Sequence, residues 1–129
     1  MPNGFYGSDE EWKRMERPLL EVENDLQVFA DKKGLKISKN YHNWPERSLT
    51  WSSRNIERLI QISVESDKHL TFTFWVCAYS DKQGKRFWKN KNIKKAVEFS
   101  KIKNKIQDLL EEGFTLAESW SENDLLPAT

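Results

Sequence analysis

From Lys82 to Lys105 the chain sets ten basic residues, nine lysines and Arg86, against a single acid, Glu98, with Phe87 and Trp88 among them. Cations beside aromatic rings are the equipment for holding an anionic partner: the charges neutralise it and the ring faces offer stacking area. The same pattern also makes an ordinary solvated turn. Within this block Lys85, Arg86, Trp88, Lys89 and Lys91 fall on one predicted strand, and Lys101 and Lys103 open the segment that follows. Lysines and free backbone N–H groups at a helix start would form an anion site, although that order opposes the helix dipole. A second cluster gathers Tyr41, His42, Trp44 and Arg47 around Pro45. Loops often carry binding groups on a rigid scaffold, and Trp44 could equally close one end of a sheet.

Other chemistry lacks a constellation. His42 and His69 are the only histidines, and neither sits in a recognisable metal or nucleophile motif. There is no glycine-rich phosphate loop and no Gly-x-Ser-x-Gly. Cys77, the one cysteine, stands in the longest apolar strand, where it reads as a small buried hydrophobe, and alone it makes no disulfide framework. No metal and no cofactor are expected. An enzyme, with its site near Tyr41, His42 and Arg47, ranks behind a binding protein.

Charge confines the search further. Ser8 to Asp31 carries eight acids and three bases, Ile106 to the end carries six acids and no base, and the whole chain sums to +1. A near-neutral protein has no general pull toward nucleic acid or membrane, so any such binding must come from the local block. No apolar run approaches the ~18 residues of a membrane span, and no basic-then-apolar leader opens the chain, so a cytoplasmic setting is expected.

The elements that must position these residues are legible from period. Trp12, Met15, Leu19, Val22, Leu26 and Phe29 recur at helical spacing, with Ser8 and Glu11 as a capping box and Gly34 as a stop. Pro18 predicts a break or a kink. The period then changes to two. Leu35 and Ile37 alternate with polar residues, a loop is expected from Asn40 to Ser48, and Leu49 to Ser53 forms a short strand. Ile56, Arg58, Ile60, Ile62 and Val64 share one face of the next strand; Leu70, Phe72, Phe74, Val76 and Ala78 share one face of another. Turns at Ser66–Lys68 and Asp81–Gly84 lead on to a strand at Lys85 to Lys89. A last helix starts near Ser100, and Gly113 on its apolar seam either allows close approach to the sheet or ends the helix. This order of helix, antiparallel strands and helix resembles that of frataxin-like proteins, whose first helix is acidic and linked to iron handling, as Glu21, Glu23 and Asp25 would make it here. The resemblance is one of order, and neither residue nor function is carried over from it.

The expected fold is therefore α+β: an antiparallel meander of four to five strands with N-terminal and C-terminal helices packed on one face, a single domain over residues 1–129 with 1–7 and 121–129 frayed. With Phe72, Phe74 and Val76 facing the helices, Trp75, Cys77 and Tyr79 must face away. Trp75 and Tyr79, with Trp88 or Phe87 and with Leu59 and Trp51, would make an aromatic patch, unless the Asn40–Asn55 segment or a second subunit covers it. The expected function is a non-enzymatic binding module that engages a protein partner, or a second copy, through a surface of Lys85, Arg86, Trp88, Lys89, Lys91, Trp75 and Tyr79. RNA or single-stranded DNA binding is the alternative.

Overall fold

The computed structural model describes residues 7–39, 44–65 and 71–128. The first helix, α1 (Asp9–Lys33), opens with the capping box foreseen: the Glu11 N–H donates to Ser8 Oγ and the Ser8 N–H to Glu11 Oε1. Gly34 ends it in the left-handed conformation, φ 72°. Pro18 does not divide the helix. It lies inside α1 and is itself buried on the apolar seam, so the packing of Trp12, Met15, Leu19 and Val22 on either side carries the helix across the missing N–H.

Among the described residues six strands follow in an antiparallel sheet whose order is the order of the chain: β1 (Lys36–Lys39), β2 (Glu46–Ser53), β3 (Ile56–Val64), β4 (Thr71–Lys82), β5 (Lys85–Glu98) and β6 (Leu126–Pro127). Six strands replace the four to five expected. The extra one is β6, in a segment expected to fray: Leu126 and Pro127 pair with Trp88 and Phe87, and the Ala128 N–H donates to the Arg86 carbonyl at 2.8 Å. Strand β5 runs nine residues past Lys89, because strand identity there is set by pairing with β4 and not by the low β-propensity of its lysines and asparagines. Strand β2 begins at Glu46, inside the expected loop. Two-residue turns close two hairpins. Arg54 and Asn55 join β2 to β3 with φ of 50° and 68°, and Gln83 and Gly84 join β4 to β5 with φ of 53° and 78°, the positive pair that matches strand twist. Met1–Tyr6, the Asn40–Asn43 part of the loop, the predicted Ser66–Lys68 turn, His69 and Leu70 lie outside the described residues.

After β5 the chain makes a four-residue helix, α2 (Phe99–Ile102), a 3-10 turn (Lys103–Lys105), helix α3 (Ile106–Ser119) and a second 3-10 turn (Glu122–Asp124). The predicted single helix from Ser100 is thus broken before Ile106. Gly113 is the reason α3 can lie close to the sheet: a Cβ there would stand 3.1 Å from Ile93 Cδ1, 3.1 Å from Val76 Cγ1 and 3.4 Å from Ile60 Cγ1. Leu19, Leu26 and Phe29 of α1 and Ile106, Leu110 and Ala117 of α3 share one buried cluster with Leu49, Ile60, Ile62, Phe72, Phe74 and Val76 of the sheet.

Two arginines are buried on this same face, each 1% exposed. Arg47 reaches toward α1, 3.5 Å from Glu16 and 3.8 Å from Glu23. Arg58 meets the end of α3: its guanidinium donates to the carbonyls of Ala117 and Trp120 and to Ser53 Oγ, with Glu118 3.8 Å away. Helix α3 has no basic residue in its last turn, so these donors satisfy carbonyls that would otherwise end buried and unpaired.

Replacing Arg58 with Ala is expected to cost about 3–5 kcal/mol in urea or thermal unfolding, the range for removing one side of a buried charged contact. Gly113→Val is expected to cost about 1–3 kcal/mol through overpacking against Val76 and Ile93, and a variant as stable as the parent would contradict the close approach described.

Candidate functional site

Antiparallel partners share a face of the sheet, so the pairing of β5 with β4 sorts the basic and aromatic residues. Arg86, Trp88, Asn90 and Asn92 stand opposite Asp81, Tyr79, Cys77 and Trp75 on the face away from the helices; Phe87, Lys89 and Lys91 stand opposite Ser80, Ala78 and Val76 on the helix face. Strand alternation has therefore separated Lys89 and Lys91 from the rings of Trp75, Tyr79 and Trp88. The Lys89 ammonium lies 5.7 Å from the Trp120 ring centre, and Lys91 borders a groove with Glu112 and Leu116 of α3. Lys85 is at the Gln83–Gly84 turn. Lys101 is exposed on α2, and Lys103 in the following 3-10 turn lies 3.5 Å from Glu21 of α1. These two lysines precede α3 instead of forming its first turn, which carries Asp108, so the expected anion site at the start of a long helix is not assembled.

The face away from the helices is concave, enclosing about 270 Å³. Its floor is Leu59, Trp75, Cys77, Tyr79 and Trp88, and its rim carries Ser38, Ser48, Thr50, Gln61 and Arg86. Trp75 and Trp88 meet edge to face, centroids 6.4 Å apart at 70°, and the Trp75 Nε1–H donates to Asn90 Oδ1 at 3.3 Å. The Arg86 guanidinium covers the Tyr79 ring at 4.2 Å and is gripped by Asp81 through two hydrogen bonds of 2.8 and 3.0 Å. That pair holds the Asp81 carboxyl below its ordinary pKa and raises that of Arg86. The single cation among the described residues lining the concavity thus arrives with its charge already balanced. Trp88 remains 37% exposed, while Cys77 is buried in the floor and burial pushes its thiol up to about 11, which leaves it unreactive near neutral pH.

Of the residues expected at the site, Trp75, Tyr79, Arg86 and Trp88 come together; Lys85, Lys89, Lys91, Lys101 and Lys103 do not join them. Trp51, expected in the patch, lies on the opposite face, stacked on Phe114 at 4.9 Å with its Nε1–H donating to Glu118. Leu59 is where alternation placed it. The rim residues Ser38, Ser48, Thr50 and Gln61 were missed, since small polar residues on β1 to β3 give no signal until the pairing brings them around the rings. Several cations of the basic block are met by the chain's own acids: Lys82 pairs with Glu122, Arg86 with Asp81 and Lys103 with Glu21. Among the described residues no acid lies within ion-pair distance of Lys85, Lys91, Lys94, Lys95, Lys101 or Lys105.

Of the second cluster, Tyr41 and His42 lie outside the described residues. Trp44 donates from Nε1 to the Val64 carbonyl at 2.5 Å, closing the end of the β2–β3 pair. Arg47 is a buried strand residue facing α1, not a loop residue open to substrate. No group of three or more histidine, cysteine, aspartate or glutamate side chains is disposed to hold a metal among the described residues. The acids of α1 that gave the frataxin-like resemblance are engaged, Glu23 with Lys39 at 2.5 Å and Glu21 with Lys103. No helix is long and apolar enough to cross a membrane. No family model, no curated protein and no solved structure matches the chain.

Between Trp44 and Arg47 sits Glu46, which is buried, and desolvation raises its carboxyl from 4.5 to about 7. The folded state therefore keeps this proton where the unfolded chain has released it, and stability falls as pH rises from about 4.5 to about 7. Glu46→Gln, which is neutral throughout, is expected to flatten that slope and to exceed the parent by roughly 1–3 kcal/mol at pH 8 in denaturant titrations. A parent whose stability rises over this interval, with the variant weaker at pH 8, would show the carboxylate to be the form the fold prefers.

Proposed function

We propose that the protein is a non-enzymatic binding module whose open sheet face receives a partner protein, with the concavity between Trp75, Tyr79 and Trp88 taking an apolar or aromatic side chain of that partner. One observation carries this choice. Among the described residues lining the concavity the rings meet a single cation, the already balanced Arg86, while Lys89 and Lys91 stand on the other side of the sheet. Nucleic acid needs unpaired cations tracking the phosphates beside the stacked bases. A protein anchor needs aromatic surface that can be desolvated, ringed by hydrogen-bonding groups, and Trp and Tyr are the residues most enriched where such anchors dominate affinity. The hydroxyls of Ser38, Ser48 and Thr50 and the Gln61 amide form that polar rim.

Single-stranded RNA or DNA remains the second reading, favoured by the six basic side chains with no acid at ion-pair distance among the described residues. In it Trp88 would stack a base and Lys85 and Arg86 would meet phosphates. A cytoplasmic setting is retained as part of both readings.

The two are separated by placing a photoreactive phenylalanine analogue at Thr50, on the rim, in the producing cell. A protein adduct of defined mass, lost when Trp75→Ala and Trp88→Ala are introduced, is expected. Sedimentation of the purified chain then tells whether the partner is a second copy. Adducts confined to RNA, together with purified-protein binding to single strands that falls steeply with salt and fails in Trp88→Ala, would reverse the ranking.

A further inference from the structure

The outer edge of β5 is an incomplete strand-pairing site. The Ala128 N–H bonds the Arg86 carbonyl and Leu126 stands opposite Trp88. In antiparallel pairing the residues that bond outward recur every second position, so after Arg86 and Trp88 the next outward N–H and C=O groups belong to Asn90 and Asn92. The same register would set residues 124 and 122 against them, but Glu122–Asp124 turns away as a 3-10 helix. Among the described residues no strand pairs with the edge from Lys89 to Glu98, and Lys89, Asn90, Lys91 and Asn92 are all exposed. The register shift and the positive φ of Ala96, devices that spoil an edge, come after Asn92 and leave these two rungs regular.

We infer that this edge docks an extended acidic segment of a partner protein by strand addition, at a surface separate from the aromatic concavity. Charge identifies the occupant. A second copy pairing β5 against β5 would bring Lys89, Lys91, Lys94 and Lys95 against their like, which opposes association. An acidic segment meets them favourably, and the chain itself sets an acid beside this edge, Asp124, close enough to Lys89 for that lysine to help lower its pKa. Alternation sets the pattern. Segment residues opposite Lys89 and Lys91 turn their side chains to the helix face, beside those ammonium groups, and should be acidic; those opposite Asn90 and Asn92 turn to the open face and should be small and β-prone.

A capped peptide of alternating Thr and Glu, about seven residues long, tests this against ¹⁵N-labelled full-length protein. Saturable binding with slowed exchange of the Asn90 and Asn92 amides is expected. Binding should weaken about tenfold or more when a central proline removes one peptide N–H, and likewise in Lys91→Glu/Lys94→Glu protein, whose folding the same spectra verify. The inference is overturned by no saturation at about 1 mM peptide, by equal binding of the proline peptide, or by binding that leaves the two amides unprotected. Self-association of the Lys91→Glu/Lys94→Glu protein, with the parent indifferent to the peptide, would likewise overturn it and identify the lysines as guards of the edge.

Discussion

The structure depends on the satisfaction of the C-terminal carbonyls of α3 by a guanidinium from the sheet. A helix end is left with acceptors that its own backbone cannot use, and the acids of α3 do nothing for them. Arg58 supplies the donors from near the start of β3, fully buried, and Arg54 adds a hydrogen bond to the Glu118 carbonyl from the hairpin turn beside it. This one contact fixes the height of α3 over β3, so Gly113 falls against Val76 and Ile93, where no side chain would fit. It also explains a local oddity of the sequence, in which Glu111, Glu112 and Glu118 accumulate toward a helix end that ordinarily favours cations. The cations are present, but they come from another element.

Arg47 has the corresponding place beneath α1, between Glu16 and Glu23. The two arginines hold the two helices to one face of the sheet, and the apolar cluster fills the space between them. What this leaves is the opposite face. There the strands carry Trp75, Tyr79 and Leu59 where a sheet exposed only to water would carry short polar residues. Large rings on a face that no described element covers bring hydrophobic area that the described fold does not bury, and the physical consequence is a surface that gains free energy when something else covers it.

Much of this was legible where one period prevailed over a long run. The seam of α1, the apolar faces of β3 and β4 and the outward direction of Trp75 follow from spacing alone, since a shift of one residue would have buried every wrong side chain. Arg58 could be placed on an apolar face but not given its partners, because the end of α3 is 59 residues away and only the fold joins them. Strands without an apolar alternation escaped. The far half of β5 is lysine and asparagine, and β6 is two residues, Leu126 and Pro127; each is a strand because a neighbour pairs with it. The rim of the concavity was invisible for the same reason, being assembled from Ser38, Ser48, Thr50 and Gln61 across three strands.

The basic block shows how composition and geometry part company on a strand. Read as a string, Lys85-Arg86-Phe87-Trp88-Lys89-Asn90-Lys91 places charge and aromatic surface together, as an anion site requires. Folded as β5, the same residues are dealt to two faces in turn. Phe87 joins the core side, Lys89 and Lys91 follow it, and Arg86 and Trp88 pass to the open face with Asp81 already in contact. A helix would have distributed these residues around a cylinder and kept some of each kind adjacent; a strand cannot, because its period is two. The block therefore marks three surfaces instead of one: a core face, an aromatic face and a lysine-studded edge. The three differ in what they offer physically: apolar area to be desolvated on the open face, and backbone groups beside charge at the edge.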